Sequence, residues 1–216
     1  MYLWLAEGRG WRITRVLDTH VHADHLSRSS RLAKLVGATL HMPEGAPVSY
    51  PFSALGDVLQ VGSATLEAVW TPGHTPESTS YLLDGRALFS GDTLFVSAVG
   101  RPDLDATPEG SREKARELYR SLQLLLALGP ETLVLPGHTS EPVAFDGEPI
   151  CAPLSEVHAS VRVLREAEDA FVEEIAGHVS PTPSNFERIV ELTRAGEAPE
   201  GDPTELEAGA NRCAAG

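Results

Sequence analysis

Three histidines and one aspartate lie within six residues, in the segment Thr19-His20-Val21-His22-Ala23-Asp24-His25. This segment follows Ile13–Asp18, a run rich in apolar and β-branched residues that is typical of a strand. Because side chains alternate along an extended chain, His20 and His22 should point to the same side, whereas Asp24 and His25 approach from the following turn. Imidazole nitrogens and carboxylate oxygens are common metal ligands, so the segment predicts a metal site at the end of this strand.

Three later motifs each place one more ligand-type side chain after a predicted strand. They are Thr71-Pro72-Gly73-His74, Ser90-Gly91-Asp92 and Leu135-Pro136-Gly137-His138. Glycine, with proline in two of the motifs, sets a turn at the strand end, so that a rigid strand holds each ligand loop. Each motif alone is common, and a cluster of surface histidines is the alternative interpretation. The ordered set of all four motifs favours one shared metal site.

Short β-rich runs alternate with turns over the first two-thirds of the chain, and these elements must position the ligands. Strands are predicted at Ile13–Asp18, Thr39–Met42, Val58–Val61, Ala64–Trp70, Ser80–Leu83, Ala87–Ser90 and Thr132–Leu135. Helices are predicted at Leu26–Val36 and Ser111–Leu128, each followed by a helix-ending glycine. This mixture predicts an α/β fold in which helices cover sheets.

The pattern becomes helical after Pro153. Apolar residues recur at helical spacing from Leu154 to Ile175, and a second helix carries Phe186, Ile189, Val190 and Leu192. These stripes indicate helices that face a core. We therefore expect residues 1–150 to form the metal-binding core, and residues 151–216 to form a C-terminal helical extension of the same domain.

Composition and charge exclude several classes of function. The chain has 216 residues, enough for one domain, and a formal net charge of −14. It shows no basic face for nucleic acid, an anionic membrane surface would repel it, and no apolar run is long enough to cross a bilayer. The N-terminal residues lack a signal-peptide pattern, so we expect a soluble, cytoplasmic protein.

The two cysteines, Cys151 and Cys213, belong to no CxxC pair, which argues against a cysteine zinc site. A cytosolic setting disfavours a disulfide between them. No activating base lies near either cysteine in sequence, so neither is marked as a reactive thiol. Their roles stay open.

The ordered motifs resemble the metallo-β-lactamase-fold superfamily, most strongly over roughly residues 1–140. The resemblance implies an αββα sandwich with a one- or two-metal site at the strand ends. Members of that superfamily usually carry further strands before the segment that residues 1–10 resemble. We therefore expect a fold that lacks these N-terminal strands, and an uncovered sheet edge or face that would favour a homo-oligomer.

Several stretches resemble one branch more narrowly, the persulfide dioxygenases: THVHADHLS, HTPESTSYLL and FSGDTLFVSAVGRPDL. That branch uses one iron(II), and carrying its ligands over motif by motif gives His20, His74 and Asp92. Two histidines and one carboxylate suit a non-haem iron oxygenase. The other polar residues of the motifs would orient the ligands or polarise bound water; they are His22, Asp24, His25 and His138.

The resemblance implies oxidation of a thiol persulfide by dioxygen to sulfite and the free thiol, with iron supplying the redox chemistry. The carrier would be a low-molecular-weight thiol such as glutathione or coenzyme A. Arg101 is a candidate to bind a substrate carboxylate, and an ion pair with Asp103 or Asp105 is the alternative. The same ligands also accept zinc or manganese, so the metal stays open.

The main alternative is a glyoxalase II-like thioesterase, in which a hydroxide bridging two metals attacks a thioester carbonyl. All seven polar residues of a two-metal site are present, so one or two zinc ions per chain is a valid alternative to one iron. Against it, Val21 stands where glyoxalase II commonly has a third histidine. In addition, no lysine follows Lys114 to form the basic C-terminal glutathione site.

A non-catalytic or sulfur-carrying partner is a further alternative, which the complete ligand set disfavours. Taking the one-metal and the two-metal site together, the predicted metal-site residues are His20, His22, His74, Asp92 and His138. The predicted catalytic residues are Asp24, His25 and Arg101.

Overall fold

The computed structural model describes residues 2–139, 143–144, 146–177, 182–183, 185–197, 199, 202–208 and 213–215. Its strands are β1 (Arg15–Leu17), β2 (Thr39–Met42), β3 (Ser53–Ala54), β4 (Val58–Val61), β5 (Ala64–Trp70), β6 (Thr79–Leu83), β7 (Ala87–Gly91), β8 (Val99–Gly100), β9 (Leu133–Pro136), β10 (Ala152–Pro153) and β11 (Ala214–Ala215). Its α-helices are α1 (Tyr2–Gly8), α2 (Ser29–Val36), α3 (Pro108–Leu126), α4 (Leu154–Ser160), α5 (Glu168–Gly177), α6 (Phe186–Ala195) and α7 (Thr204–Glu207).

Two larger sheets and one two-stranded ribbon form the frame. The parallel sheet has the order β1-β2-β3, and the mixed sheet has the order β10-β9-β7-β6-β5-β4. The ribbon pairs β11 with β8 in antiparallel orientation. The α/β architecture expected from the sequence is confirmed, and every predicted strand is present with its ends within two residues of the expected ones.

The largest core cluster lies between the mixed sheet and helices α3, α4 and α5. It contains Leu88 and Val134 from the sheet, Leu118 and Leu122 from α3, and Phe171 from α5, all at most 1% exposed. Burying a large apolar side chain stabilises a fold by about 1.5–3 kcal/mol, so these contacts hold α3 and α5 to the sheet. The predicted apolar stripe of Ser111–Leu128 therefore faces the core as expected.

Three helix boundaries differ from the sequence expectation. The helix predicted from Leu26 begins at Ser29, because the Leu26 amide donates to Glu207 and the Ser29 hydroxyl donates to Asp18. Helix α3 begins earlier than expected, at Pro108, because the hydroxyl of Thr107 accepts the Gly110 amide and caps the helix.

The third difference is a break in the apolar stripe that runs from Leu154 to Ile175. It forms α4 and α5 with a 3-10 turn, Arg162–Arg165, between them. Val161 ends α4 in an extended conformation, so the two helices cannot be continuous. The stripe still faces the core, because Val157, Val161 and Ile175 are buried.

Helix α6 links the C-terminal segment to the histidine-rich loop. Ile189 and Leu192 of α6 form a small buried cluster with Leu26, which follows the first motif. The first helix, α1, by contrast buries none of its residues, and Trp4 is 77% exposed. No helix in the described residues is both long and apolar enough to span a membrane.

Candidate metal centre

All four ligand loops meet at one edge of the mixed sheet. Strands β7 and β9 are parallel, so the residues that follow them, Asp92 and His138, leave the sheet on the same side. Strand β6 is antiparallel to both β5 and β7, which brings the β5–β6 loop with His74 to that same edge. The register of β7 against β9 shifts between Phe89 and Gly91, just before Asp92.

Hydrogen bonds attach the first motif to strand β6 and the loop before it. The Tyr81 hydroxyl donates to the Asp18 carbonyl across 2.7 Å, and the Thr79 amide donates to the Thr19 carbonyl across 2.9 Å. The Val21 amide donates to Oε1 of Glu77 across 3.0 Å. These backbone contacts hold His20 rigidly against the loop that carries His74.

His20, His74 and Asp92 form a buried group of three ligand-type side chains. One ligand atom from each lies within 4.8 Å of the other two, and all three residues are at most 3% exposed. Oδ2 of Asp92 is 3.8 Å from Nε2 of His20 and 3.7 Å from Nε2 of His74. The structure therefore brings together the two-histidine, one-carboxylate set that the resemblance assigned.

In both His20 and His74, the ring nitrogen that faces away from Oδ2 of Asp92 is hydrogen-bonded. Nδ1 of His74 lies 2.8 Å from the Arg101 carbonyl oxygen, which can only accept, so Nδ1 carries the proton and Nε2 the lone pair. Nδ1 of His20 lies 2.9 Å from the Thr19 hydroxyl. Partners of this kind orient ligating histidines in metal proteins.

Buried polar atoms without a partner mark the space between these side chains. Among the described residues, Nε2 of His20, Nδ1 of His22 and Oδ2 of Asp92 are buried and accept or donate no hydrogen bond. A buried polar group left unsatisfied costs about 1–3 kcal/mol, so the facing atoms of His20 and Asp92 indicate a place that binds a cation. Imidazole nitrogens with one carboxylate fit a divalent transition-metal ion.

The protonation states suit metal binding. Burial lowers the pKa of His20 to about 4 and the pKa of His22 to about 3, which leaves both rings neutral near pH 7. Burial by itself raises the pKa of Asp92, but His20, His138 and His74 lower it overall, so the carboxylate is ionised. Neutral imidazole and ionised carboxylate are the forms that bind metal.

A hydrogen-bonded chain runs alongside this group. His138 joins Asp92 to Asp24: its Nδ1 is 2.9 Å from Oδ1 of Asp92, and its Nε2 is 2.7 Å from Oδ2 of Asp24. Hydrogen bonds to Asp24 and Asp92 raise the pKa of His138 to about 10. Nδ1 of His25 lies 3.0 Å from Oδ1 of Asp24, and this contact outweighs burial and raises the His25 pKa.

His22 and His25 lie next to each other, beside the hydrogen bonds that join Asp92, His138 and Asp24. Their ring centroids are 4.1 Å apart, and ligand atoms of His22, Asp24 and His25 lie within 4.8 Å of one another. All the sequence-predicted ligand residues therefore lie around one centre. The assignment of each residue as a ligand or a catalytic group stays a prediction.

Arg101 lies at the centre but faces a carboxylate of its own chain. Its guanidinium is 1% exposed and donates from Nε to Oδ1 of Asp103 across 2.8 Å, and from Nη2 to Oδ2. Its backbone carbonyl accepts from His74. Of the two roles weighed from the sequence, the structure contains the ion pair with Asp103.

Cys213 is a residue of the centre that sequence reasoning missed. Its sulfur, a carboxylate oxygen of Asp24 and a ring nitrogen of His138 lie within 4.8 Å of one another. Burial and the nearby carboxylates of Asp92 and Asp24 raise the pKa of its thiol. No motif surrounds Cys213 in the sequence, so only the pairing of β11 with β8 reveals its position.

A cavity of about 720 Å³ opens beside His74. Its apolar wall includes Val48 from the loop after β2, with Phe186 and Val190 from α6. Its charged lining consists of two cations, Lys114 and Arg194, and four carboxylates, those of Glu77, Asp105, Glu187 and Glu191. Nζ of Lys114 donates to the Leu104 carbonyl across 2.8 Å. The cavity can therefore admit a small molecule next to the metal centre, with both cationic and acidic side chains available to contact it.

Comparison with known proteins agrees with this geometry. The sequence profile of the Metallo-beta-lactamase superfamily matches residues 1–138, and the chain belongs to that superfamily. It superimposes on the crystal structure of a metallo-beta-lactamase from Staphylococcus aureus with a TM-score of 0.80 and 26% identity, over 91% of this chain and 62% of that one. The metallo-β-lactamase fold expected from the sequence is confirmed.

Two further relatives bear on the reaction. The structure of ETHE1 from Myxococcus xanthus aligns with a TM-score of 0.77 and 31% identity, over 91% of this chain and 83% of that one. Hydroxyacylglutathione hydrolase from Rhizobium johnstonii is 36% identical over 138 residues, which are 62% of this chain and 51% of that protein. The chain thus spans about half the length of this curated relative.

Proposed function

We propose that this protein is a persulfide dioxygenase-like enzyme that uses one iron(II) ion per chain. Its reaction converts a low-molecular-weight thiol persulfide, dioxygen and water into the thiol, sulfite and protons. His20, His74 and Asp92 would hold the ion, which supplies the redox chemistry when bound. The sulfane sulfur is oxidised and dioxygen is reduced, so no further reductant is needed.

One observation carries this proposal: the buried unpartnered atoms of His20 and Asp92 face each other, whereas the ring nitrogens of His138 are both engaged. Each nitrogen of His138 already contacts a carboxylate, of Asp92 or Asp24. This supports one open metal group and a neighbouring set of orienting residues. The ETHE1 likeness, which covers 83% of that structure, supports the same branch.

The other residues of the centre have positioning roles in this proposal. The Arg101 carbonyl fixes the tautomer of His74, and the ion pair with Asp103 fixes Arg101 in turn. His138 holds Oδ1 of Asp92, so that Oδ2 stays directed at the metal group. Asp24 and His25 continue this series of hydrogen bonds and can move a proton to or from bound substrate.

The substrate would enter by the cavity beside His74. Its apolar wall can contact the methylene groups of a thiol carrier, and Lys114 with Arg194 can bind the carrier's carboxylates. Arg194 belongs to α6 and supplies a cation from the C-terminal part of the chain, where the sequence has no lysine. A glutathione-like or coenzyme A-like thiol meets these requirements.

Glyoxalase II-like thioester hydrolysis is the second candidate. The observation in its favour is the group of His22, Asp24 and His25, whose ligand atoms lie close enough to hold a further ion. The relative named hydroxyacylglutathione hydrolase points the same way. A two-metal hydrolase would direct a bound hydroxide at a thioester carbonyl.

The deciding experiment compares two reactions on the same protein. Metal-free enzyme is loaded with iron(II) or with zinc, then assayed for oxygen uptake with glutathione persulfide and for hydrolysis of a glutathione thioester. We expect oxygen uptake with iron and no hydrolysis with either metal. Thioester hydrolysis with zinc, without oxygen uptake in the iron-loaded protein, would overturn the proposal and favour the hydrolase.

A further inference from the structure

Strand β1 leaves one side of its backbone unpaired. It is an edge strand of the parallel sheet, whose order is β1-β2-β3. The Thr14 carbonyl accepts a hydrogen bond from β2, and the Asp18 amide donates one to β2. Because successive residues of a strand present their backbone groups to opposite sides, those of Arg15 and Leu17 face away from β2. No strand in the described residues pairs with this side of β1.

The open side of β1 forms one wall of a cavity of about 980 Å³. The two neighbouring helices form its other walls, with Tyr2 and Leu3 from α1 and Leu32 and Leu35 from α2. Tyr2 is 68% exposed, and Leu35 is 67% exposed. A large exposed apolar patch on a soluble protein commonly marks a binding surface.

The mixed sheet turns an apolar face toward the same place. Tyr81 of β6 donates its hydroxyl to the Asp18 carbonyl, so its side chain points at the parallel sheet. Phe89 of β7 lies directly opposite Tyr81 and shares its face, as does Leu133 of β9, and both are 39% exposed. Because β3 leads into β4 through residues 55–57, the next strand beyond β1 would lie over β7 and β9.

Charge restricts what can fill the cavity. Besides two histidines, its charged lining consists of three arginines and one carboxylate, namely Arg15, Arg28, Arg31 and Asp18. Arg28 pairs with Glu207. Both oxygens of Asp18 accept hydrogen bonds from serine hydroxyls. Arg15 and Arg31 therefore make the cavity cationic, in a chain with a formal net charge of −14.

We propose that this cavity takes an extended, acidic segment of a partner protein, which adds to β1 as a fourth strand of the parallel sheet. Backbone hydrogen bonds to Arg15 and Leu17 hold the segment, and alternate side chains give specificity. Apolar side chains on one of its faces contact Phe89 and Leu133. Its carboxylates pair with Arg15 and Arg31. About five or six residues, the usual length of a strand, span the open side.

A second copy of this chain fits the cavity less well than an acidic partner. Pairing of β1 with β1 across a two-fold axis would bring the two cationic cavities together, and like charges oppose such a contact. The proposed function uses neither the open side of β1 nor these arginines. The inference therefore goes beyond that function and does not depend on it.

The test uses two valine-rich peptides of about six residues, one with glutamate and one with lysine at both ends. Binding to the full chain is measured by isothermal titration calorimetry. We expect the glutamate peptide to bind at least about tenfold more tightly, because the lysine peptide meets like charge in the cavity. Hydrogen exchange should show that the glutamate peptide protects the amides of Arg15 and Leu17.

Charge reversal in the cavity provides the control. A variant that combines Arg15→Glu with Arg31→Glu should prefer the lysine peptide. Arg86→Glu changes an exposed arginine in the turn between β6 and β7, and should keep the preference for glutamate. Circular dichroism checks that both variants fold.

Several outcomes would overturn the proposal. They are no binding of either peptide, equal affinity for both, an unchanged preference in the double variant, or binding that leaves the β1 amides unprotected. Light scattering that shows a dimer with these amides already protected would assign the open side to a second copy instead. None of these measurements involves iron or dioxygen, so the proposed function and this inference can each fail alone.

Discussion

Nδ1 of His138 lies 2.9 Å from one carboxylate oxygen of Asp92, which leaves the other oxygen of Asp92 directed into the metal group. The contact depends on Gly137, where an added Cβ would overlap the same Asp92 oxygen. Parallel pairing of β7 with β9 brings the two residues together at the strand ends. The strand order of the sheet thus sets the direction of a ligand.

Asp92→Asn should remove the metal that His20, His74 and Asp92 hold. The amide keeps the shape of the side chain but replaces the anionic oxygens that contact His20 and His74, so we expect affinity to fall by more than about 100-fold. Metal per chain after reconstitution and dialysis measures this. Asp169→Asn, at the exposed start of α5, is the control and should keep its metal. Equal metal content in both variants would contradict the assignment.

His138→Gln should slow the reaction and leave in place the metal that His20, His74 and Asp92 hold. The variant removes the contacts with Asp92 and Asp24 but none of the three proposed ligands, so we expect a rate about 10- to 100-fold lower. Turnover and iron content are measured together. His158→Gln, on the exposed side of α4, should match the unaltered chain. Loss of iron in His138→Gln would show that His138 is itself a required ligand.

The metal-free chain should lose stability as pH rises above neutrality. The pKa of His138 is raised from 6.5 to about 10, so its contribution is complete below pH 6.5 and lost as pH rises through about 10. The pKa of Asp24 is lowered, because hydrogen bonds from His138 and His25 outweigh burial. Its contribution is therefore present above the ordinary value of 3.8 and lost at lower pH.

Urea denaturation at several pH values checks this expectation. The free energy of unfolding should decline between pH 6.5 and 10 in the metal-free chain, and the decline should be smaller in His138→Gln. The same slope in both proteins would mean that other groups cause it.

Gly73→Ala should destabilise the fold and displace His74. Gly73 has a φ of 134°, and an added Cβ would overlap the backbone and side chain of Leu118 in α3. Gly62→Ala is the matched control, because Gly62 also has a positive φ but has open space around it. We expect Gly73→Ala to cost about 1–3 kcal/mol more than Gly62→Ala in urea denaturation. An equal loss of unfolding free energy in both variants would show that α3 can shift to make room for the added Cβ.

Lys114→Ala should weaken substrate binding. Loss of a hydrogen bond to a charged group costs about 1.5–3 kcal/mol, so KM for an acidic thiol persulfide should rise about tenfold or more while kcat changes little. Lys34→Ala removes the only other lysine, exposed on α2, and should leave KM unchanged. An unchanged KM in Lys114→Ala would remove this cation from the substrate site.

The helices show where sequence patterns stop being sufficient. The apolar stripe of α3 and its glycine-proline end were recognisable, because both depend on neighbours along the chain. The break at Val161 and the late start of α2 were not, because they depend on core packing and on the distant Glu207.

The sequence by itself determined the family, the seven strands that are longer than two residues and the ligand-type residues of the four motifs, because each motif is a short run whose chemistry and turn are local. Only the tertiary structure decided the pairing of Arg101 with Asp103 and the place of Cys213. Strand β11 reaches β8 across more than one hundred residues of chain, and no local spacing encodes such a contact. Long-range pairing depends on the whole packed fold, and it sets which groups surround the metal centre.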